Sequence, residues 1–305
     1  MKIEKIKELQ KGKLMNLELL VLDVTEKLTS KNDPYLIVTA TDGDEKADIR
    51  FWNTELDDFT ESWKNHVMSI NLKCDMYNGT ASYVGTDAMF SNKPVTDFVQ
   101  KVPEECSEMF QYLRNFPFKN RDIKLLVNSI LDENEEKLLY WAAAKSMHHA
   151  LYGGLLYHMY RMTQASASFN HVYGIDHDMI AAGAILHDIG KIQELDTDEL
   201  GNASYTVDGR LFGHMYLGMQ MIQDAAKALN TPPEIVRHLC HILASHHGKP
   251  EYGSFVPPAT KEAEVVHMLD LADSRIYQYE EAYKTLEDGE TSDFLRGLNH
   301  SIVKL

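Results

Sequence analysis

The stretch Ala184-Ile185-Leu186-His187-Asp188-Ile189-Gly190-Lys191 decides how this chain is read. An apolar run, Ile180–Leu186, is followed directly by a histidine and an aspartate. A polar pair carried to the end of a buried run needs partners, because an unpaired polar group is costly away from water. Four more polar groups recur outward from this point. His158 ends Gly153-Gly154-Leu155-Leu156-Tyr157-His158, and His214 follows Gly213. His246 and His247 lie in Ala244-Ser245-His246-His247-Gly248, and Asp270 and Asp273 lie in Val266-His267-Met268-Leu269-Asp270-Leu271-Ala272-Asp273. Each group falls in or at the end of a predicted helix. Taken singly, each reads as an ordinary core or surface residue; all five on successive helices read as a metal centre. Imidazole with carboxylate suits Mn, Fe, Co or Zn, and the absence of a cysteine cluster argues against a thiolate zinc site. A His-Asp pair at a helix end can send both side chains into one site, and a carboxylate has two oxygens with which to bridge two ions.

The surrounding texture is helical from about Glu104 onward. Glu104–Asn115, Asn120–Leu131, Glu135–Met147, Gly154–Ala167, Asp178–His187, Phe212–Leu229, Pro233–Ser245 and Thr260–Tyr283 have helical length and spacing. Asn120, Asp132 and Thr231 are expected caps or cap neighbours, and Pro232-Pro233 is expected to open a helix. The first part of the chain differs. Leu19–Val24, Tyr35–Ala40, Ala47–Trp52, His66–Cys74 and Thr80–Val84 read as strands, separated by the turn-forming clusters Ser30–Pro34, Thr41–Glu45 and Asn78-Gly79. Five short strands in such a span suggest a small barrel, with an OB-fold as the natural candidate. The expected organisation is therefore multidomain: an OB-like β-barrel over residues 1–90, a linker and leading helix over 91–119, and an all-α domain over 120–305.

Composition narrows the class. Hydrophobic residues at 44 % leave ample material for a core, so the chain is not read as disordered. Met1–Lys13 is rich in lysine and glutamate, which fits no signal peptide, and no apolar run reaches the length of a membrane span. The three scattered cysteines, Cys74, Cys106 and Cys240, suit a reducing compartment, so a cytoplasmic location is expected. The net charge of −16 argues against tight, sequence-independent duplex binding, where phosphate neutralisation dominates. It leaves room for a groove that holds a single strand by stacking and bound ions.

The helical residues 120–285 resemble the HD-domain superfamily of metal-dependent phosphohydrolases, with His187-Asp188 as the name-giving dyad. With an OB-like domain in front, the whole chain resembles the YhaM-type 3′-to-5′ exoribonucleases. Met147-His148-His149-Ala150 before the first ligand, and Asp42-Gly43 with Phe51-Trp52, match as well. The resemblance implies two divalent ions, with manganese the first choice. His158, His187, Asp188 and Asp270 would hold one ion, and Asp188 would bridge to a second held by His214, His246 and His247. Lys191 would act with Asp188 in catalysis by offering its ammonium to the scissile phosphate. Tyr157 departs from the pattern, since an acidic residue often precedes the first histidine in this family. Asp270 and Asp273 are three residues apart on one helix face, so either can be the ligand. Asp270 is preferred, with Asp273 supporting it or touching substrate. His148 and His149 are further substrate candidates. In the β region Phe51, Trp52, Tyr77 and Tyr83 are stacking candidates. Strand alternation puts Phe51 and Trp52 on opposite faces, so at most one of the two can face a groove.

The resemblance implies cleavage of single-stranded RNA, with single-stranded DNA left open as a second substrate and a homo-oligomer left open. The alternative is an HD-type nucleotide or cyclic-dinucleotide phosphohydrolase with a regulatory β domain. Cyclic-di-GMP-cleaving HD proteins carry a Gly-Tyr-Pro signature soon after the paired histidines. Here His246-His247-Gly248-Lys249-Pro250-Glu251-Tyr252-Gly253 stands instead. A non-catalytic single-strand-binding protein is a third reading, disfavoured because a vestigial site should have lost ligands.

Overall fold

The structure, a computed structural model, describes residues 5–9, 11–77, 80–143, 151–198 and 203–305, with the side chains of 76, 77, 80 and 170–172 left aside. His148 and His149 lie outside the described residues, as does the Asn78-Gly79 turn. Two compact units divide between Gln100 and Lys101. Among the described residues no helix is long and apolar enough to cross a membrane.

In the first unit, β1 (Leu14–Leu28), β2 (Pro34–Thr41), β3 (Lys46–Trp52), β4 (Val67–Tyr77) and β5 (Thr80–Phe90) form a closed barrel in the order β1-β2-β3-β5-β4. The long β1 makes closure possible, pairing with β4 along Leu14–Leu20 and with β2 along Leu20–Leu28. A register shift between Val21 and Asp23 lies in the β1–β2 ladder, the kind of bulge that bends a strand. The parallel pairing of β3 with β5 shuts the barrel, completing OB-type topology. Alternate residues point inward: Leu17, Leu19 and Val21; Leu36, Val38 and Ala40; Ile49 and Phe51; Met68, Ile70 and Leu72. Burying each large side chain of this set contributes roughly 1.5–3 kcal/mol. A short helix, α1 (Asp58–Glu61), starts at a capping box between Asp57 and Thr60 and precedes Trp63, which fills the barrel interior. The strands run longer than the sequence implies because polar residues toward their ends, such as Thr25–Lys27 and Asp87, still pair.

The second unit is built from α2 (Cys106–Arg114), α3 (Arg121–Glu133), α4 (Glu135–Leu138), α5 (Gly154–Tyr173), α6 (His177–Leu186), α7 (Lys191–Glu194), α8 (Val207–Leu229), α9 (Pro233–Ser245) and α10 (Lys261–Tyr283). A two-stranded hairpin, β6 (Leu195–Thr197) with β7 (Ala203–Tyr205), joins α7 to α8. In the segment expected as a linker and leading helix, 91–119, Phe98 is buried in the first unit, and α2 places Met109, Phe110 and Leu113 in the helical core of the second. Of the helix expected over Glu135–Met147, the described residues are helical only as far as Leu138, and 144–147 lie outside the described residues. The carbonyls of Tyr140 and Trp141 accept from the amides of Gly153 and Leu155, so they cannot serve a continuing helix.

Everything converges on α6, which is buried from Asp178 to Leu186 and packs against α3, α5, α9 and α10. Its Asp176 cap accepts from Met179 N, and it ends at His187. Asn120 caps α3 by accepting from the amides of Asp122 and Ile123, and α9 opens at Pro232-Pro233. Asp132 lies inside α3, where it pairs with Arg114 rather than capping.

Candidate metal centre

His187 and Asp188 leave the end of α6 with the chain still buried, so their polar atoms must be satisfied within the protein. Two glycines shape what they meet. At Gly190 a Cβ would fall 1.9 Å from the His214 carbonyl oxygen, so only glycine lets the turn after Asp188 press against α8. Gly213 takes φ +72° inside α8 and breaks its regular geometry immediately before His214.

The histidines share one arrangement. Each Nδ1 meets an oxygen: Asp273 Oδ2 for His158 (2.7 Å), Ala184 O for His187 (3.1 Å), Glu194 Oε1 for His214 (3.2 Å), Leu243 O for His246 (2.7 Å) and Tyr252 O for His247 (3.0 Å). An oxygen partner makes Nδ1 the donor, which leaves Nε2 as the inward-facing lone pair. Such outer oxygens orient metal-binding imidazoles and raise their basicity. Four of the Nε2 atoms close on the Asp188 carboxylate: His187 at 3.3 Å, His214 at 3.4 Å, His246 at 3.7 Å and His158 at 3.8 Å. Asp270 Oδ1 lies 3.3 Å from His158 Nε2.

The set resolves into two triads. Ligand atoms of His158, His187 and Asp188 lie within 4.8 Å of one another, as do those of His214, His246 and His247. Asp188 Oδ1 and His214 Nε2 are buried with no hydrogen-bond partner. His158 Nε2 and His187 Nε2 are 3.2 Å apart with both Nδ1 atoms already engaged, so a proton or a cation has to lie between them. Orphaned acceptors, opposed lone pairs and a mixed imidazole–carboxylate donor set fit a divalent metal.

Electrostatics agrees. Against burial, which favours the neutral ring, Asp270 and Asp273 push the His158 imidazolium up to about 9. Burial, reinforced by the charge on His187, holds His246 well below its usual value. Burial opposes ionisation of Asp188, yet Lys191 and His187 hold it well below the carboxylate range. Lys191 Nζ rests 2.6 Å from Asp188 Oδ2, and this carboxylate raises its pKa against burial. His158 and Lys191 are thus held positive beside the Asp188 and Asp270 carboxylates, while His246 is held neutral with its Nε2 lone pair available to a cation.

The structure brings His158, His187, Asp188, Lys191, His214, His246, His247 and Asp270 together. It separates the two aspartates: Asp270 faces the Nε2 side of His158, whereas Asp273 holds Nδ1 and pairs with Arg161 Nε at 2.5 Å. Tyr157, where an acidic residue was expected, lies beneath the Arg161 guanidinium, 5.3 Å from carbon to ring centroid. In the barrel, Phe51 is corrected as a stacking candidate: it is 5 % exposed and packs edge-on against Trp63 at 5.3 Å. Trp52 points outward at 47 % exposure, with Tyr35 4.8 Å away. Tyr83 packs against the barrel core, and the Tyr77 side chain is outside the described residues. Sequence reasoning missed Glu194, whose Oε1 accepts from both the backbone N–H and Nδ1 of His214, and His267, whose Nδ1 donates to the His246 carbonyl. A signal was present for His267, three residues before Asp270; none links Glu194 to His214.

A family model described as HD domain matches residues 155–275. A curated relative, the 3′-5′ exoribonuclease YhaM of Oceanobacillus iheyensis, is 30 % identical over 289 residues, covering 92 % of this chain and 90 % of its own length. No solved structure matches the chain. The likeness reaches well beyond the helical residues that carry the dyad, so the chain belongs to the YhaM family of HD-domain proteins.

Proposed function

We propose that this chain is a 3′-to-5′ exoribonuclease that hydrolyses single-stranded RNA at a centre of two divalent ions, releasing nucleoside 5′-monophosphates. The pairing of two ligand triads around Asp188 is the observation that carries the reading. The direction and the RNA substrate come from the relative's activity. His158, His187, Asp188 and Asp270 would hold one ion; His214, His246 and His247 would hold the other, with Asp188 shared. Manganese is the first choice, and Fe, Co or Zn also suit these donors. Ions bound there supply Lewis acidity at a phosphoryl oxygen and a nucleophile at neutral pH.

The chain's own groups then have defined tasks. Asp188 offers one oxygen toward each triad. Lys191 spends one of its three N–H donors on Asp188 and has others for a phosphoryl oxygen, where charge develops. Asp273 and Glu194 keep His158 and His214 in the tautomer that presents Nε2. His214 and His247 line the adjoining cavity while His158, His187 and His246 lie deeper, so substrate approaches from the side of the second triad. In the barrel, exposed Trp52 beside Tyr35 offers a base an aromatic face.

Metal-stripped protein incubated with each divalent ion tests this. The substrates are 5′-labelled RNA, the same strand with a blocked 3′ end, its DNA counterpart and a blunt duplex. Stepwise shortening of the unblocked strand is expected, with stalling at the duplex because a paired end must first unstack at a cost of a few kcal/mol. Indifference to the 3′ block, or preference for free nucleotides or cyclic dinucleotides, would move the protein to the nucleotide-hydrolase alternative.

A further inference from the structure

The cavity beside Asp188 has a volume of about 930 Å³. Sites enclosing a small ligand span roughly 300–1,000 Å³, so there is room for more than the phosphate being cleaved. Part of its lining is the metal centre. Another part comes from the middle of α10, Ser274, Arg275 and Gln278, and from the loop Arg296–Asn299. The HD domain match ends at residue 275, so Gln278 and this loop lie beyond it.

The loop is a built feature. Leu298 and Ile302 bury their side chains, and Gly297 packs on the Gln278 side chain. Lys304 Nζ donates to the carbonyls of Tyr283 and Leu286 at 3.0 and 2.8 Å, fastening the C-terminal segment to the end of α10. Arg275 Nη2 reaches the Leu298 carbonyl at 3.4 Å.

Charge is what marks the wall. The cations lining the cavity are Lys191, Lys249, Arg275 and Arg296. Lys191 pairs with Asp188; among the described residues no carboxylate pairs with the other three. This occurs in a chain with 46 acidic residues against 30 basic ones, where partners are plentiful. Unpaired cations facing a cavity gain most when an anion enters it. On the exoribonuclease reading the scissile phosphate would be met by the bound ions and Lys191, so further cations would serve further phosphates. A guanidinium holding a single carbonyl keeps a fork of N–H donors free for phosphate oxygens. Tyr205 and Tyr252 line the same cavity with exposed rings, which give bases a surface without demanding a particular sequence.

We propose that Arg275 and Arg296 bind the phosphodiester backbone adjoining the cleaved bond, making the C-terminal loop part of the substrate site. The proposal rests on the exoribonuclease reading, and its test separates the two. Full-length parent, Arg275→Gln, Arg296→Gln and Arg296→Lys are titrated with a fluorescent oligoribonucleotide whose 3′-terminal linkage is a phosphorothioate, at several KCl concentrations. Cleavage direction, metal content and melting temperature are measured in parallel. Each Gln variant should bind about tenfold more weakly and reduce the slope of log affinity against log salt by about one. Arg296→Lys should keep the parent slope, which a merely structural role for the side chain does not explain. Unchanged slopes in both Gln variants would overturn the proposal, as would a parent that binds the strand with no salt dependence. A parent whose binding depends on these arginines but which does not shorten RNA from its 3′ end leaves this wall standing and overturns the activity. A parent that shortens RNA while the Gln variants keep their slopes does the reverse.

Discussion

The two triads around Asp188 use the same imidazole chemistry in different surroundings. His158, His187 and Asp188 are all buried, with Asp270 and Asp273 on either edge of His158 and Arg161 behind Asp273. His214 and His247 reach the cavity, and Glu194 holds His214 from outside the cluster. The inner site is rich in carboxylate, more deeply buried and tied to the core through α5, α6 and α10. The outer site is all imidazole apart from the shared Asp188 and opens to solvent. On the two-ion proposal, a cation in the inner position would gain more from its ligands' charge and exchange less readily. The cavity is lined by His214 and His247 of the outer site and reaches the inner one only at Asp188 and Asp270.

Asp188→Ala should produce the largest effect, because it removes the group common to both sites. Hydrolysis should fall to background and both ions should be lost, with the helical fold retained, as read by cleavage assay, elemental analysis and circular dichroism. Near-parent cleavage with metal supplied would break the comparison at its root. Next come His187→Ala and His247→Ala, which separate the sites. Loss of the fully buried His187 side chain should destabilise the protein by about 2–5 kcal/mol as well as emptying the inner site. His247→Ala should empty the outer site with little change in chemical denaturation. Equal destabilisation by both would mean that the sites do not differ in their coupling to the core.

Smaller effects are expected from the residues behind the ligands. Glu194→Gln should weaken the outer ion by roughly 10–100-fold and leave the inner one in place, and Asp273→Asn should do the converse. Isothermal titration of the metal-free variants would read the two affinities; a change at the wrong site would reverse the assignment. The smallest expected effect is a pH trend in the metal-free protein. His158 is raised from 6.5 to about 9, so its contribution to stability is full below pH 6.5 and is lost as pH rises through 9. Metal-free melting temperature should therefore fall over that window. Metal binding should strengthen over the same window, because the ion must displace this proton. Calorimetry at three pH values with and without chelator checks both trends, and parallel curves would contradict them.

How much was legible in the sequence follows the range of each interaction. The apolar run of α6 and the His-Asp pair that directly follows it are contiguous in sequence, so local pattern alone exposed them. The strand texture was visible for the same reason, although the polar ends of β1 and β5 were not, since what keeps them in strand form is cross-strand pairing. The helix drawn through Glu135–Met147 failed where the amides of Gly153 and Leu155 claim its carbonyls. No periodicity records that competition.

Local pattern by itself determined the order His158, His187-Asp188, His214, His246-His247 and Asp270, the alternation that sets Phe51 against Trp52, and the acidity that disfavours duplex binding. Tertiary structure alone decided which of each pair is which. Asp270 and Asp273 share one helix face, and only the position of the His158 ring gives one of them Nε2 and the other Nδ1. Barrel closure, through the pairing of β3 with β5, turned Phe51 inward and Trp52 out. Glu194 met His214 because the β6–β7 hairpin returns the chain between them, and Arg296 met the cavity because Lys304 fastens the C-terminal segment to α10. Periodicity encodes the direction of a side chain relative to its own helix or strand. The partner it finds there depends on where distant segments pack, and a single sequence carries no period for that.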